Sequence, residues 1–279
     1  MDLSTAAPIP ADADLVPAEQ GTARSPAGTA NQAGEPGTRA EHGRMGVDTP
    51  RSESRWQRLV GPCTAIAMAV LLFAALVYAP EDAVQGQAQR IFYIHVPSAW
   101  VSFLAFAVVF VASIGVLATG KAKWDELAAA SAEVGVVFTT AVMISGPLWG
   151  KASWGVYWTW DPRLTSYFIL WLVYLSYLAL RSYVSEPSRK ARFSAALGIV
   201  GFLDVPLVYF SVRWWRGLHP GYVIIAKGGP KMPGQMVVAL MIGLAAFTLL
   251  YVYLVGLRLR VTRLKAAREA AILEEDDDE

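Results

Sequence analysis

A chain of 279 residues, 54% of them hydrophobic, with a mean hydropathy of +0.38, is too apolar for an ordinary soluble protein, and its apolar residues gather in long blocks. The net charge of +1 comes with no basic groove or nucleic-acid motif, which sets nucleic acid aside as a partner. A single cysteine, Cys63, excludes an internal disulfide and any cysteine-based zinc cluster.

Residues 1–55 are rich in Ala, Pro, Gly, Thr, Ser and Glu and poor in aromatic and β-branched residues. Such a stretch buries too little apolar surface to offset its ordering entropy, and a disordered tail is expected there. It has no early apolar core of a signal peptide, and His42 within it is read as a bystander. The first apolar run, Leu59–Ala79, ends at Pro80 and the acids Glu81 and Asp82. Cys63, near its start, is read as inert packing. A polar stretch leads through His95 to a second run over Ala99–Ala118, and a third covers Leu127–Leu148. The fourth runs from Leu164 to Leu180, the fifth from Phe193 to Val212 and the sixth from Met236 to Leu257. Each suits a bilayer crossing of about 20 residues. The expectation is an all-α, polytopic membrane protein with six transmembrane helices over residues 56–260. A cytoplasmic C-terminal tail, 261–279, follows.

Lys and Arg set the orientation. Fourteen lie on the side of the N-terminus, from Arg51 to Arg58, at Lys121 and Lys123, between Arg181 and Arg192, and between Arg258 and Arg268. Seven lie opposite: Arg90, Lys151, Arg163, Arg213, Arg216, Lys227 and Lys231. This bias predicts both termini inside, with the tryptophan stretch at 149–165 and the loops at 80–97 and 213–234 facing outward.

The chain is organised around Trp149–Thr165, WGKASWGVYWTWDPRLT, which holds four of the ten tryptophans within twelve positions. A membrane-interface belt needs fewer. A dense aromatic shelf beside one acid, Asp161, and one guanidinium, Arg163, suits a large flat apolar ligand with charged groups at its edge. Trp154 and Trp158 share a face on a helix, whereas Trp158 and Trp160 share one only in an extended segment, and both geometries stand. Asp161, before Pro162, reads either as the N-cap of the fourth helix or as a ligand contact. His95 and His219 lie in loops on the same predicted side as the shelf. As a pair they fit axial ligation of a haem iron, with Trp154 and Trp158 as stacking faces and Arg163 opposite a propionate. Trp214 and Trp215 form a second aromatic cluster. Asp204, inside the fifth run, is read as structural, beside the irregularity of Pro206.

These residues carry a family resemblance. WGVYWTWDPRLT resembles the tryptophan-rich WWD signature of haem-handling membrane proteins of cytochrome c maturation. With six helices, residues 56–257 are similar to the CcmC family. The resemblance implies haem b bound on the outer face, with His95 and His219 as axial ligands and Trp154, Gly155, Trp158, Trp160, Asp161 and Arg163 as motif residues. It further implies the cytoplasmic (inner) membrane, loading of haem onto the chaperone CcmE, and ABC-type CcmA and CcmB with a small CcmD-like subunit as partners. Without a P-loop the chain hydrolyses no ATP itself, and a delivery protein is expected rather than an enzyme. Pro162 is similar to the CcsA/ResC branch of cytochrome c synthases, whose members generally have more helices. A b-type electron-transfer cytochrome is the other alternative, although such proteins usually keep their histidines well inside the apolar runs.

Overall fold

A computed structural model of the chain describes residues 55–215, 217, 219, 229 and 231–277. The expected N-terminal tail with His42 lies almost wholly outside the described residues, as do Arg216 and Lys227. All the regular elements among the described residues are helices: α1 (Arg55–Phe73), α2 (Phe92–Thr119), α3 (Ala122–Trp154), α4 (Pro162–Tyr183), α5 (Pro187–Phe202), α6 (Asp204–Trp214) and α7 (Gly234–Asp277), with a π-helical turn at Ala74–Tyr78 and a 3-10 turn at Gln87–Ile91. Among the described residues, six helical segments are long and apolar enough to cross a membrane. Five of the six expected runs fall within them, and the first, Leu59–Ala79, overruns its span by Ala79 alone.

Helix ends follow local chemistry. Glu186 caps α5, accepting from the backbone N–H groups of Ser188 and Arg189 at 2.8 and 2.9 Å. A hydrogen bond from the Ser188 side chain holds its carboxyl below the usual range. Gly120, at φ 64°, ends α2 in the left-handed conformation and donates its N–H to the Val116 carbonyl at 2.8 Å. The fifth span is two helices rather than one. Pro206 offers no N–H to the Phe202 carbonyl, the chain turns at Leu203, and α6 begins at Asp204. Asp204 Oδ2 is buried there without a hydrogen-bond partner.

The core forms around α2, which packs against α3, α5 and α7. Val101, Ala105, Phe106, Val109 and Ala112 on it are fully buried. Lipid gives no hydrophobic drive between helices, so close packing has to supply the cohesion. Small residues make it possible: a Cβ on Gly135 would lie 2.7 Å from the Phe106 ring, and one on Gly198 would lie 2.8 Å from Ser113 Oγ. Phe106 in turn stacks on Tyr174 of α4, with centroids 3.5 Å apart and planes 10° from parallel. Large side chains such as Leu72, Val77, Ile114, Val137 and Ile144 stay exposed, as a bilayer-facing surface requires. Cys63 is exposed too, so its reading as a packed residue does not hold.

Ion pairs tie α3 to its neighbours toward one end of the bundle. Arg181 of α4 grips Asp125 of α3 through two hydrogen bonds of 2.6 and 2.8 Å. Arg258 of α7 makes a similar pair of bonds to Glu133 of α3, with Nη2 2.8 Å from Oε1. Bidentate guanidinium–carboxylate pairs of this kind fix the relative heights of three helices on one end of the bundle.

Candidate functional site

At the other end of α3 the helix outruns its expected limit at Leu148 and continues through Trp154. Trp149 and Trp154 therefore share one helix, with ring centroids 5.8 Å apart. Gly155, at φ 78°, stops it: its N–H meets the Lys151 carbonyl at 3.1 Å, and its own carbonyl accepts from Lys151 Nζ at 2.8 Å. Residues 156–161 form no helix. Trp154 and Trp158 thus cannot share a helical face. Trp158 and Trp160, two apart, meet edge to face at 5.6 Å, as the extended geometry allows.

Asp161 is the N-cap of α4. Its Oδ1 accepts from the backbone N–H groups of Arg163 and Leu164 at 3.0 and 3.1 Å, its Oδ2 accepts from Thr159 Oγ1 at 2.8 Å, and Pro162 takes the first helical position. The cap holds the turn that carries Arg163. Gly217 packs against this carboxylate: a Cβ there would lie 3.3 Å from Asp161 Cβ.

His95 does not precede the second helix. The 3-10 turn and α2 begin before it, so the ring projects from the first turn of α2, half-buried against α3. Its Nδ1 lies 2.9 Å from Ser145 Oγ, and its ring centroid is 6.0 Å from Trp149. Trp149 is buried and donates from Nε1 to Gln85 Oε1 at 2.8 Å, which tethers α3 to the turn before α2. His219 meets the edge of Trp154 at 6.2 Å. The rings of His95, Trp149, Trp154 and His219 thus follow one another at contact distance.

These side chains surround a cavity of about 440 Å³, within the range of pockets that hold small molecules and cofactors. His95, His219, Trp154, Trp158 and Arg163 all line it. Gly155, Trp160 and Asp161 do not: Gly155 shapes the turn, Asp161 caps α4, and Trp160 is 74% exposed beyond Trp158. Trp149 lines the cavity and was missed as a site residue, although it belongs to the same tryptophan stretch. Ser145, behind His95, carried no signal in the third apolar run. No carboxylate lines the cavity among the described residues, whereas Arg163 does. Trp158 Nε1 is buried without a hydrogen-bond partner. An apolar aromatic box with two imidazoles and one guanidinium fits a flat, metal-bearing ring with anionic edge groups.

The model of the family described as heme exporter protein C, CcmC, matches residues 48–274. The chain belongs to the CcmC family. Among its CcmC relatives, the heme exporter protein C of Bradyrhizobium diazoefficiens is 41% identical over 191 residues, covering 68% of this chain and 72% of that protein. That of Haemophilus influenzae is 35% identical over 203 residues, covering 72% and 82%. A putative cytochrome c biosynthesis ccmC-like mitochondrial protein of Arabidopsis thaliana is 32% identical over 226 residues, covering 81% and 84%. The CcmC match takes in all six membrane-spanning segments but for the last residues of α7, and every residue of the cavity wall.

Proposed function

We propose that this chain binds haem b in the aromatic cavity, presents it at the extracytoplasmic face of the cytoplasmic membrane and loads it onto the haem chaperone CcmE during cytochrome c maturation. The observation that carries this reading is the convergence of His95, His219, Trp154, Trp158 and Arg163 on one cavity. They come from α2, the end of α3, the 156–161 segment, the start of α4 and the stretch after α6. Family membership supports the same reading.

Each residue has a chemical task. The imidazoles of His95 and His219 are the axial donors to the iron, which as a porphyrin-bound metal accepts two such nitrogens. Trp154 and Trp158 hold the ring by its faces. Arg163 receives the propionates through charge-assisted bonds. Asp161 acts indirectly, by capping the turn that carries Arg163. Tyr157 lines the cavity and is 58% exposed, so the box opens at the 156–161 segment, where a chaperone has room to dock. The excess of basic residues beside the N-terminus, and the Arg181 and Arg258 ion pairs on the end away from the cavity, support both termini inside and the cavity outside. In this scheme CcmA, CcmB and a CcmD-like subunit supply the ATP-driven part that this chain lacks.

The test is an absorption spectrum of the purified chain followed by incubation with apo-CcmE. A haem spectrum and covalent haem on CcmE are expected. Bound haem that never moves to CcmE would favour a b-type electron carrier, and a colourless protein that takes up no added haem would end the proposal.

A further inference from the structure

The ring of His95 rests on α3 through two neighbouring residues. Ser145 Oγ lies 2.9 Å from His95 Nδ1 and donates to the carbonyl of Ala141, one turn back in α3, at 2.7 Å. A hydroxyl has a single proton. With that proton on the Ala141 carbonyl, the Ser145 oxygen can only accept, so the hydrogen between it and His95 belongs to Nδ1. A neutral imidazole carries one N–H, and the lone pair is then left on Nε2. Beside this bond, Gly146 clears the space: a Cβ there would lie 3.2 Å from His95 Cε1, tighter than ordinary contact. Trp149, one turn further along the same helix, borders the ring at 6.0 Å and 41°.

We propose that Ser145, with the notch at Gly146, is the positioning device of the iron ligand: it fixes the Nδ1–H tautomer of His95 and presents Nε2 to the cavity as the metal-binding nitrogen. The inference rests on the reading of His95 as a haem ligand and adds the group that orients it. Hydrogen bonding of the distal imidazole N–H makes the ligand more basic, and such partners commonly carry a 10–100-fold share of metal affinity. A more basic imidazole also favours the ferric state, so Ser145 acts on the iron's potential as well as on its retention.

The test uses the full chain in detergent, titrated with ferric protoporphyrin IX, with affinity, visible spectrum and ferric/ferrous midpoint potential as readouts. Ser145→Ala is expected to weaken haem binding about 10-fold or more and to raise the potential. Ser145→Thr keeps a hydroxyl able to make both bonds and should restore both values. Gly146→Ala keeps the hydroxyl but crowds Cε1, and should weaken binding as well; it carries the same test if Ser145→Ala does not accumulate. In a His95→Ala background without added imidazole, Ser145→Ala should add nothing. Parental affinity and potential in Ser145→Ala, while His95→Ala loses its ligand signature, would overturn the positioning role and leave the ligand standing. An unchanged spectrum in His95→Ala itself would show the failure to lie in the ligand assignment, and the positioning role would fall with it.

Discussion

Trp158 shows at the scale of one residue what the cavity asks for. Its ring lines the cavity, while its indole N–H is buried without a hydrogen-bond partner, a state that costs free energy. Arg163 lines the same cavity as Trp158, and its guanidinium can take a propionate. Trp154 differs, since its ring lies between Trp149 and His219 and offers a face. Replacing Trp154 and Trp158 together with Leu should lower haem occupancy severalfold without opening a coordination position. Added imidazole should therefore not change the residual spectrum, because aromatic contacts hold the ring and not the iron. Recovery of the spectrum with imidazole in that double variant would contradict the division of labour. At the same scale Asp161 is settled as a cap by its three accepted bonds.

The element that matters most is the junction from α3 through 156–161 into α4, and it was only partly legible in the sequence. The glycine at 155 and the proline at 162 announced a turn, and Asp161 before Pro162 announced a helix start; the structure has both. The position of the break between them was not legible. Trp149–Trp154, which mixes tryptophans and small residues with Lys151, can extend α3 or leave it, and periodicity cannot choose, so α3 was expected to end at Leu148. His95 was misjudged for a related reason. Pro97 and the polar Gln85–Arg90 read as loop, yet the helix runs on through Pro97, which offers no N–H to the Tyr93 carbonyl one turn back. Ser145 and Gly146 were invisible, because their roles depend on which helix lies opposite. The cap gives a test at this scale. Asp161→Ala should cost about 1 kcal/mol and reduce haem retention by loosening Arg163. Asp161→Asn keeps an N-cap acceptor and should retain haem close to the parent. If the Asn variant loses haem as the Ala variant does, the carboxylate charge is required and the capping account of its role fails.

For the whole molecule, the six spans were legible because each apolar block is long enough to declare itself, whereas the split of the fifth span followed from Pro206 only once its helix was placed. Orientation remains a matter of charge, and it can be measured. Reporter fusions near Gln85, Ser153 and Lys227 should sit outside, and fusions near Lys123 and Ser188 inside. A cytoplasmic signal at Ser153 would put the cavity on the wrong side for loading an extracytoplasmic chaperone. Deleting residues 2–45 should leave insertion and haem binding unchanged, since the cavity wall begins at Phe92 and that composition builds no core. A properly inserted deletion variant that loses haem would give the tail a part in the site.

The central claim is that His95 and His219 ligate one iron, and the visible spectrum of their single alanine variants tests it most directly. Each substitution should reduce haem retention and shift the bands, because axial-ligand identity sets the iron's electronic state. Neither should abolish binding while the tryptophan faces and Arg163 remain. Exogenous imidazole should partly restore the parental spectrum of either variant by filling the vacated position. If both variants kept full haem with unshifted bands, the two-imidazole account would be contradicted.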